Sequence, residues 1–194
     1  MCKYVIVAMK CYSARVCLVV AATWIFACTE PAQPHPKAKA GVFDPVAYAD
    51  ARLKRARDNF LATPIPNDTA WQFGAACYHR AKFAKDNHER AALAQEGIDA
   101  CRKLVAEHPE NPGGHYYLSM NIGQMARVRQ LKALGMVKEM EHHFNLAREL
   151  DETFSHAGSD RNLGLLYFRA PRFISVGNKE RALKHLRRAA KLAP

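Results

Sequence analysis

Nine histidines and six cysteines are the side chains of this 194-residue sequence best suited to metal binding or nucleophilic chemistry. Glu139 and His142 stand three residues apart, with Glu141 and His143 beside them. On a helix this spacing puts a carboxylate and an imidazole on one face, as in carboxylate-bridged di-iron bundles. Such a centre needs a second Glu-x-x-His pair and two further carboxylates, and no other Glu here has His three residues on. His-Glu-x-x-His is also absent, so His142 and His143 read as helix side chains and no metal site is expected. Cys77 and Cys101 allow two readings, a disulfide between neighbouring helices of an exported protein or two small buried thiols. His79 lies two residues from Cys77, on a different helical face, and is not placed to act as its base. Gly-x-Ser-x-Gly and phosphate-cradling glycine loops do not occur. The sequence therefore predicts no enzyme, no catalytic residue and no cofactor.

A different chemistry is suggested at Cys28. Residues 16–27 form an apolar run of twelve, broken only by Thr23, behind Lys3, Lys10 and Arg15 and no acid. A bilayer span needs about 20 apolar residues, so the run reads as the core of an export signal. It ends Ile25-Phe26-Ala27-Cys28, which resembles a bacterial lipobox, although Phe26 is bulkier than usual. Cys28 is the predicted lipidation site, residues 1–27 the signal peptide, and residues 28–43, with Pro31, Pro34 and Pro36, a flexible tether; the alternatives are an ordinary cleaved signal or a short membrane stub. Met9-Lys10 would make a more typical start than Met1. The expected address is the bacterial cell envelope, lipid-anchored and facing the periplasm, which argues against nucleic acid as a partner.

The elements that carry these residues have helical spacing throughout. Asp44 followed by Pro45 is an N-cap with proline at the first helical position, opening a helix over residues 45–62. Asn67 or Asp68 caps the next, which carries Trp71, Ala75 and Tyr78. Four segments then end alike: Leu61-Ala62-Thr63-Pro64, Ala106-Glu107-His108-Pro109, Leu150-Asp151-Glu152 and Leu192-Ala193-Pro194. Their last positions are 45, 43 and 42 residues apart, and each interval holds two helical patterns. Leu163, Gly164 and Tyr167 on one helix, with Ala182, Leu186 and Ala189 on the next, give the small–large pattern of a tetratricopeptide repeat, whose usual period is about 34. The surplus is assigned between the paired helices, over residues 126–135 in the middle unit and 169–177 in the last. The predicted fold is all-α over residues 44–194, with about seven helices. They form stacked antiparallel pairs, tetratricopeptide-like repeats with extended inter-helix turns. Gly164 is expected against the following helix near Ala182.

Net charge is +11, and the excess left after the signal segment is concentrated at one end. Residues 28–160 balance 17 basic against 17 acidic side chains, whereas residues 161–194 hold nine basic residues against Glu180 alone. Lys184, Arg187, Arg188 and Lys191 fall at i, i+3, i+4 and i+7, one helical stripe, with Leu183, Leu186 and Ala190 assigned to the core side. The stripe reads as a docking face for an acidic protein surface or anionic lipid, or as a solvated face. Arg161 falls in a helix's first turn, where the macrodipole disfavours a cation. Pairing with Asp160 or Asp151, or a partner's carboxylate, would offset this. Tyr116, Tyr117, Phe144, Tyr167 and Phe168, with Phe173 nearby, read either as core or as the lining of an apolar groove for a small amphipathic ligand.

Several of these residues form a longer pattern. Tyr116-Tyr117-Leu118 opens one helix, and His142-His143-Phe144 with Ala147 lies on the next, ending Glu149-Leu150-Asp151. Phe154-x-His156-Ala157-Gly158-x-x-Arg161-x-Leu163-Gly164-x-x-Tyr167-x-x-Ala170-Pro171 follows, then Lys179-x-x-Ala182-Leu183-x-His185-Leu186-x-x-Ala189. Over residues 112–194, and more loosely 44–109, this resembles the tetratricopeptide-type lipoprotein that forms the T component of tripartite ATP-independent periplasmic (TRAP) transporters. Glu152 stands where that family usually has proline. The resemblance implies a lipid-anchored helical scaffold without catalysis. It would dock a periplasmic solute-binding protein or other envelope protein and hold or pass a hydrophobic organic acid; self-association is a further option. The alternative is a generic repeat scaffold for protein–protein interaction in the envelope, with no small-molecule role.

Overall fold

The computed structural model describes residues 43–62, 68–129, 132–172 and 175–193. The signal segment, Cys28, the tether up to residue 42, Asn67 and Phe173 lie outside the described residues. Within them the chain forms seven helices and no strand: α1 (Pro45–Leu61), α2 (Asp68–Ala81), α3 (Asn87–Glu107), α4 (Pro112–Val128), α5 (Ala133–Leu150), α6 (Phe154–Arg169) and α7 (Lys179–Leu192). The all-α class expected from the sequence is thus observed.

Polar caps fix where the helices begin. Asp44 Oδ1 accepts from Val46 N at 2.9 Å and Ala47 N at 3.1 Å, satisfying two amides that a helix start leaves without partners. Asp86 caps α3 through Glu89 N at 2.7 Å, and Glu89 reaches back to Lys85 N at 2.7 Å. Asn111 caps α4 through Gly114 N, with Pro112 at its first position, and Asn178 caps α7 through Arg181 N.

Each helix packs on the next, and α2 also touches α4, and α4 touches α6. Three apolar clusters follow the chain. Leu53, Phe73, Cys77 and Leu93 join α1, α2 and α3. Ile98, Cys101, Leu118, Ile122 and Met125 join α3 and α4, with Met136 and Met140 of α5 against them. Tyr116, Phe144, Leu163, Tyr167 and Ala182 join α4, α5, α6 and α7. Between the first two clusters, buried Asn121 donates to Gly74 O at 2.9 Å and Tyr117 O at 2.8 Å, a polar tie from α4 to α2. Gly164 lies against α7 near Ala182, as expected: a Cβ there would sit 2.6 Å from Leu186 Cγ and 3.2 Å from Ala182 O.

Two expectations change. The extended turn expected over residues 126–135 is not observed as such, because α4 continues to Val128 and α5 starts at Ala133. The connection between α6 and α7 is longer, running over residues 170–178. On α7 the buried residues are Ala182 and Ala189; Leu183 is 47% exposed and Ala190 is exposed, so neither belongs to the core side.

Candidate functional site

A groove of about 480 Å3 opens between α4 and α6, floored by α5. Met120 and Gly123 of α4, Val137, Met140 and Phe144 of α5, and Leu165 and Leu166 of α6 give it apolar walls. Tyr78 closes it from α2, half-buried, and burial together with the nearby Tyr116 raises its phenol pKa. Polar character comes from four side chains: Gln124, Asn162, Arg127 and Arg169. Asn162 is engaged, its Nδ2 donating to Tyr116 Oη at 3.0 Å and Gly158 O at 2.8 Å. Gln124 is only 5% exposed, and its Oε1 has no hydrogen-bond partner. Arg127 and Arg169, in the last turns of α4 and α6, are exposed and form no ion pair with a described residue. Among the described residues that line the groove none is acidic, so its charged lining is cationic.

Of the five aromatics expected to line a groove, Phe144 lines this one. Tyr116 is 3% exposed; its hydroxyl accepts from Asn162, and its ring meets those of Phe144 and Phe154 at 5.8 and 5.5 Å. Gly158 makes room for it, since a Cβ at that position would come within 2.7 Å of the hydroxyl. Tyr117 stacks on Trp71 at 5.7 Å. Tyr167 is 1% exposed, donates to Glu141 Oε1 at 2.7 Å and accepts from Arg181 Nη2 at 2.6 Å. Burial and the Glu141 carboxylate push its phenol up to about 12. Tyr116 and Tyr167 are therefore core residues with engaged hydroxyls. Phe168 is 62% exposed and, with Tyr167, Arg172 and Lys179, edges a separate cavity of about 450 Å3 at the α6–α7 connection.

The cationic residues also divide. Lys184, Arg187 and Lys191 are exposed along α7 and pair with no described carboxylate. Arg188 does not join them: it bonds Glu152 and lies 3.6 Å from the buried carboxylate of Asp160. Glu152 thus supplies a partner within the chain for one cation of the stripe. Asp160 also receives His185 Nδ1 at 2.7 Å. Arg161 pairs with neither Asp160 nor Asp151. Its guanidinium donates to His156 O at 3.0 Å and Ser155 O at 3.2 Å, while Asp151 caps the turn through Thr153 N and Phe154 N.

Cys77 and Cys101 are free and buried. Burial, with Glu96 nearby, pushes the Cys77 thiol up to about 12, and burial raises Cys101 as well, so both thiols are unreactive. Among the described residues no group of three His, Cys, Asp or Glu side chains is placed to hold a metal. One pairing the sequence gave no sign of is His115 with His143, whose Nδ1 atoms lie 2.9 Å apart. Its partners are 28 residues apart on α4 and α5, beyond any local spacing rule. Gln124 left a fainter signal: three residues before Arg127, it shares that cation's helical face.

Neither protein-family models nor curated proteins give a match to the chain.

Proposed function

We propose that the chain is a periplasm-facing, lipid-anchored helical-repeat scaffold of the T-component kind, which docks a solute-binding protein and holds or passes a hydrophobic organic ligand in TRAP-type transport. The order of helix contacts supports the repeat reading. Each helix packs on its successor, and α2, α4 and α6 also meet in series, the contact order of stacked antiparallel helix pairs in tetratricopeptide arrays. The single observation that carries the functional reading is the α4–α6 groove: apolar walls, two unpaired arginines and no acid, a surface suited to an amphipathic anion. The exposed cations of α7 support the docking part, because like charges on one stripe repel unless something acidic meets them.

The test is isolation of the full-length chain from membranes, with mass spectrometry of what accompanies it. The reading expects an identified solute-binding protein in stoichiometric amount and an organic acid released on denaturation. Recovery with other envelope proteins, and with no acid, would leave a generic scaffold instead.

A further inference from the structure

We propose that the first turns of α1 lie on the surface of an anionic phospholipid bilayer: the exposed rings of Phe43 and Tyr48 enter the boundary between headgroups and acyl chains, and Arg52 and Arg55 meet lipid phosphates. The inference rests on the anchoring part of the reading above and adds a second membrane contact, made by the folded domain itself.

The four side chains form one surface. Phe43 is 68% and Tyr48 54% exposed, and their ring centroids lie 5.6 Å apart. The Arg52 guanidinium sits over the Tyr48 ring, 5.9 Å from its centroid. Tyr48, Arg52 and Arg55 stand at i, i+4 and i+7, one stripe of α1, and all three are exposed. The core takes another side of the helix: Ala49 and Leu53 are buried, and Ala56 and Phe60 pack against the first apolar cluster. The acids of α1 are engaged within the chain. Asp44, at the head of the stripe, turns its carboxylate to the amides of Val46 and Ala47, Asp50 takes Arg80, and Asp58 takes Lys54. Arg52 and Arg55 pair with no described carboxylate, so the stripe presents cations outward.

Chain length and chemistry select a bilayer as the occupant. Phe43 follows Cys28 by 15 residues, at most about 50–54 Å of extended chain. A chain held at Cys28 therefore keeps the start of α1 nearer the membrane than any later helix needs to be. Such tethering turns a weak surface contact into an intramolecular one. Aromatic rings favour the headgroup level, and cations beside them meet anionic lipid. An acidic protein face would match the arginines but not the two exposed rings. Lys37 and Lys39, just upstream in sequence, add to the same sign of charge.

The test is flotation of the full-length chain, isolated from membranes, with vesicles of phosphatidylcholine alone or of phosphatidylcholine and phosphatidylglycerol in equal parts. Phe43→Trp supplies the probe, read as its difference from the parent, whose Trp71 stacks on Tyr117. Lipids brominated in their acyl chains quench a tryptophan that reaches the acyl boundary. The expected result is flotation with both vesicles, with the added tryptophan's emission shifted to shorter wavelength and quenched severalfold more strongly where phosphatidylglycerol is present. Adding Arg52→Gln with Arg55→Gln should leave flotation unchanged and remove the difference between the vesicles. Two basic side chains at an anionic surface are expected to raise the docked-to-undocked ratio about 30-fold. Both arginines are exposed and outside the described ion pairs, so the fold should survive. Flotation with both vesicles but without quenching, with equal quenching on the two, or with a difference that persists in the arginine variant would overturn the surface contact and leave the anchor. Flotation with the anionic vesicles alone, lost in the arginine variant, would remove the anchor and leave the surface contact. Flotation with neither would remove both.

Discussion

His115 and His143 meet nitrogen to nitrogen, and their partners fix the protons. His115 Nε2 lies 2.8 Å from Pro109 O, and a carbonyl only accepts, so that nitrogen carries the hydrogen. In the neutral ring Nδ1 then holds a lone pair, and His143 Nδ1 donates to it across 2.9 Å. A proton added to either ring sets N–H against N–H or places a charge in a buried stack. Burial first, then His115 and His142 nearby, depresses His143 to about 4 from the ordinary 6.5; Glu139 opposes this and Arg102 adds to it. His115 is lowered as well, mainly by burial. The unfolded chain therefore binds more protons than the folded one between about pH 4 and 6.5. The stability contributed by this pair is complete above about pH 6.5 and is lost as pH falls towards 4. Denaturant titrations at pH 7 and pH 5 should show lower stability at pH 5. His143→Phe, which removes one titrating group, should narrow that difference; an unchanged difference would show that the pair does not titrate.

Helix α6 shows best what a sequence reveals of an element and what it hides. Ser155, His156 and Ala157 have φ of 55°, 57° and 53°, a left-handed turn without glycine. Each costs roughly 1–2 kcal/mol for an L-residue. Arg161 reaches back from the first right-handed turn and ties the carbonyls of Ser155 and His156. Arg161→Ala should lose about 0.5–1.5 kcal/mol by chemical denaturation. Arg161→Lys should recover only part of this, since an ammonium lacks the fork that spans two carbonyls. An alanine variant as stable as the parent would show that the turn holds without the clamp. Downstream, Gly164→Leu should overpack the contact with Leu186 and Ala182 by about 1–3 kcal/mol, lowering the melting temperature by about 2–12 °C. The Gly164–Ala182 contact was legible because small residues recurring at helical spacing can only mean close approach. Asp44-Pro45 was legible because cap chemistry is local. The left-handed turn was not, since glycine, its usual mark, is absent from those three positions. Nor was the fate of Arg188, which depends on Glu152, 36 residues away in sequence. The groove was half legible: Phe144 lines it, but spacing could not tell a core tyrosine such as Tyr116 from a wall residue such as Leu165.

At the scale of the whole molecule, charge and anchoring bear on the same function. No helix among the described residues is long and apolar enough to cross a membrane; in the proposed role the attachment point is Cys28. Cys28→Ser should move the protein from the membrane fraction to the soluble fraction, and unchanged partitioning would remove the anchor from the proposal. The described residues place the charge excess mainly on the last two helices. There Arg161, Arg181 and Arg188 are occupied internally, by backbone carbonyls, by Glu141 with Tyr167, and by Glu152 with Asp160. Among the cations that pair with no described carboxylate, Lys184, Arg187 and Lys191 share one exposed stripe of α7, with the partly exposed Leu183 beside them. Three like charges on one exposed stripe repel one another slightly, offset in part at Lys191, which the helix dipole favours in the last turn. In docking they would speed encounter with an acidic protein face, and that contact would weaken with salt, because exposed charges are screened over about 8 Å at physiological ionic strength. Arg187→Glu with Lys191→Glu should therefore abolish capture of the solute-binding protein at low salt, with helical content unchanged. The reversal touches no internal ion pair, so lost capture would not signal misfolding, whereas Arg188→Glu would break the contacts to Glu152 and Asp160 and destabilise α7 directly. If the doubly reversed protein captures as well as the parent at low salt, the stripe is a solvated face, and docking must use another surface.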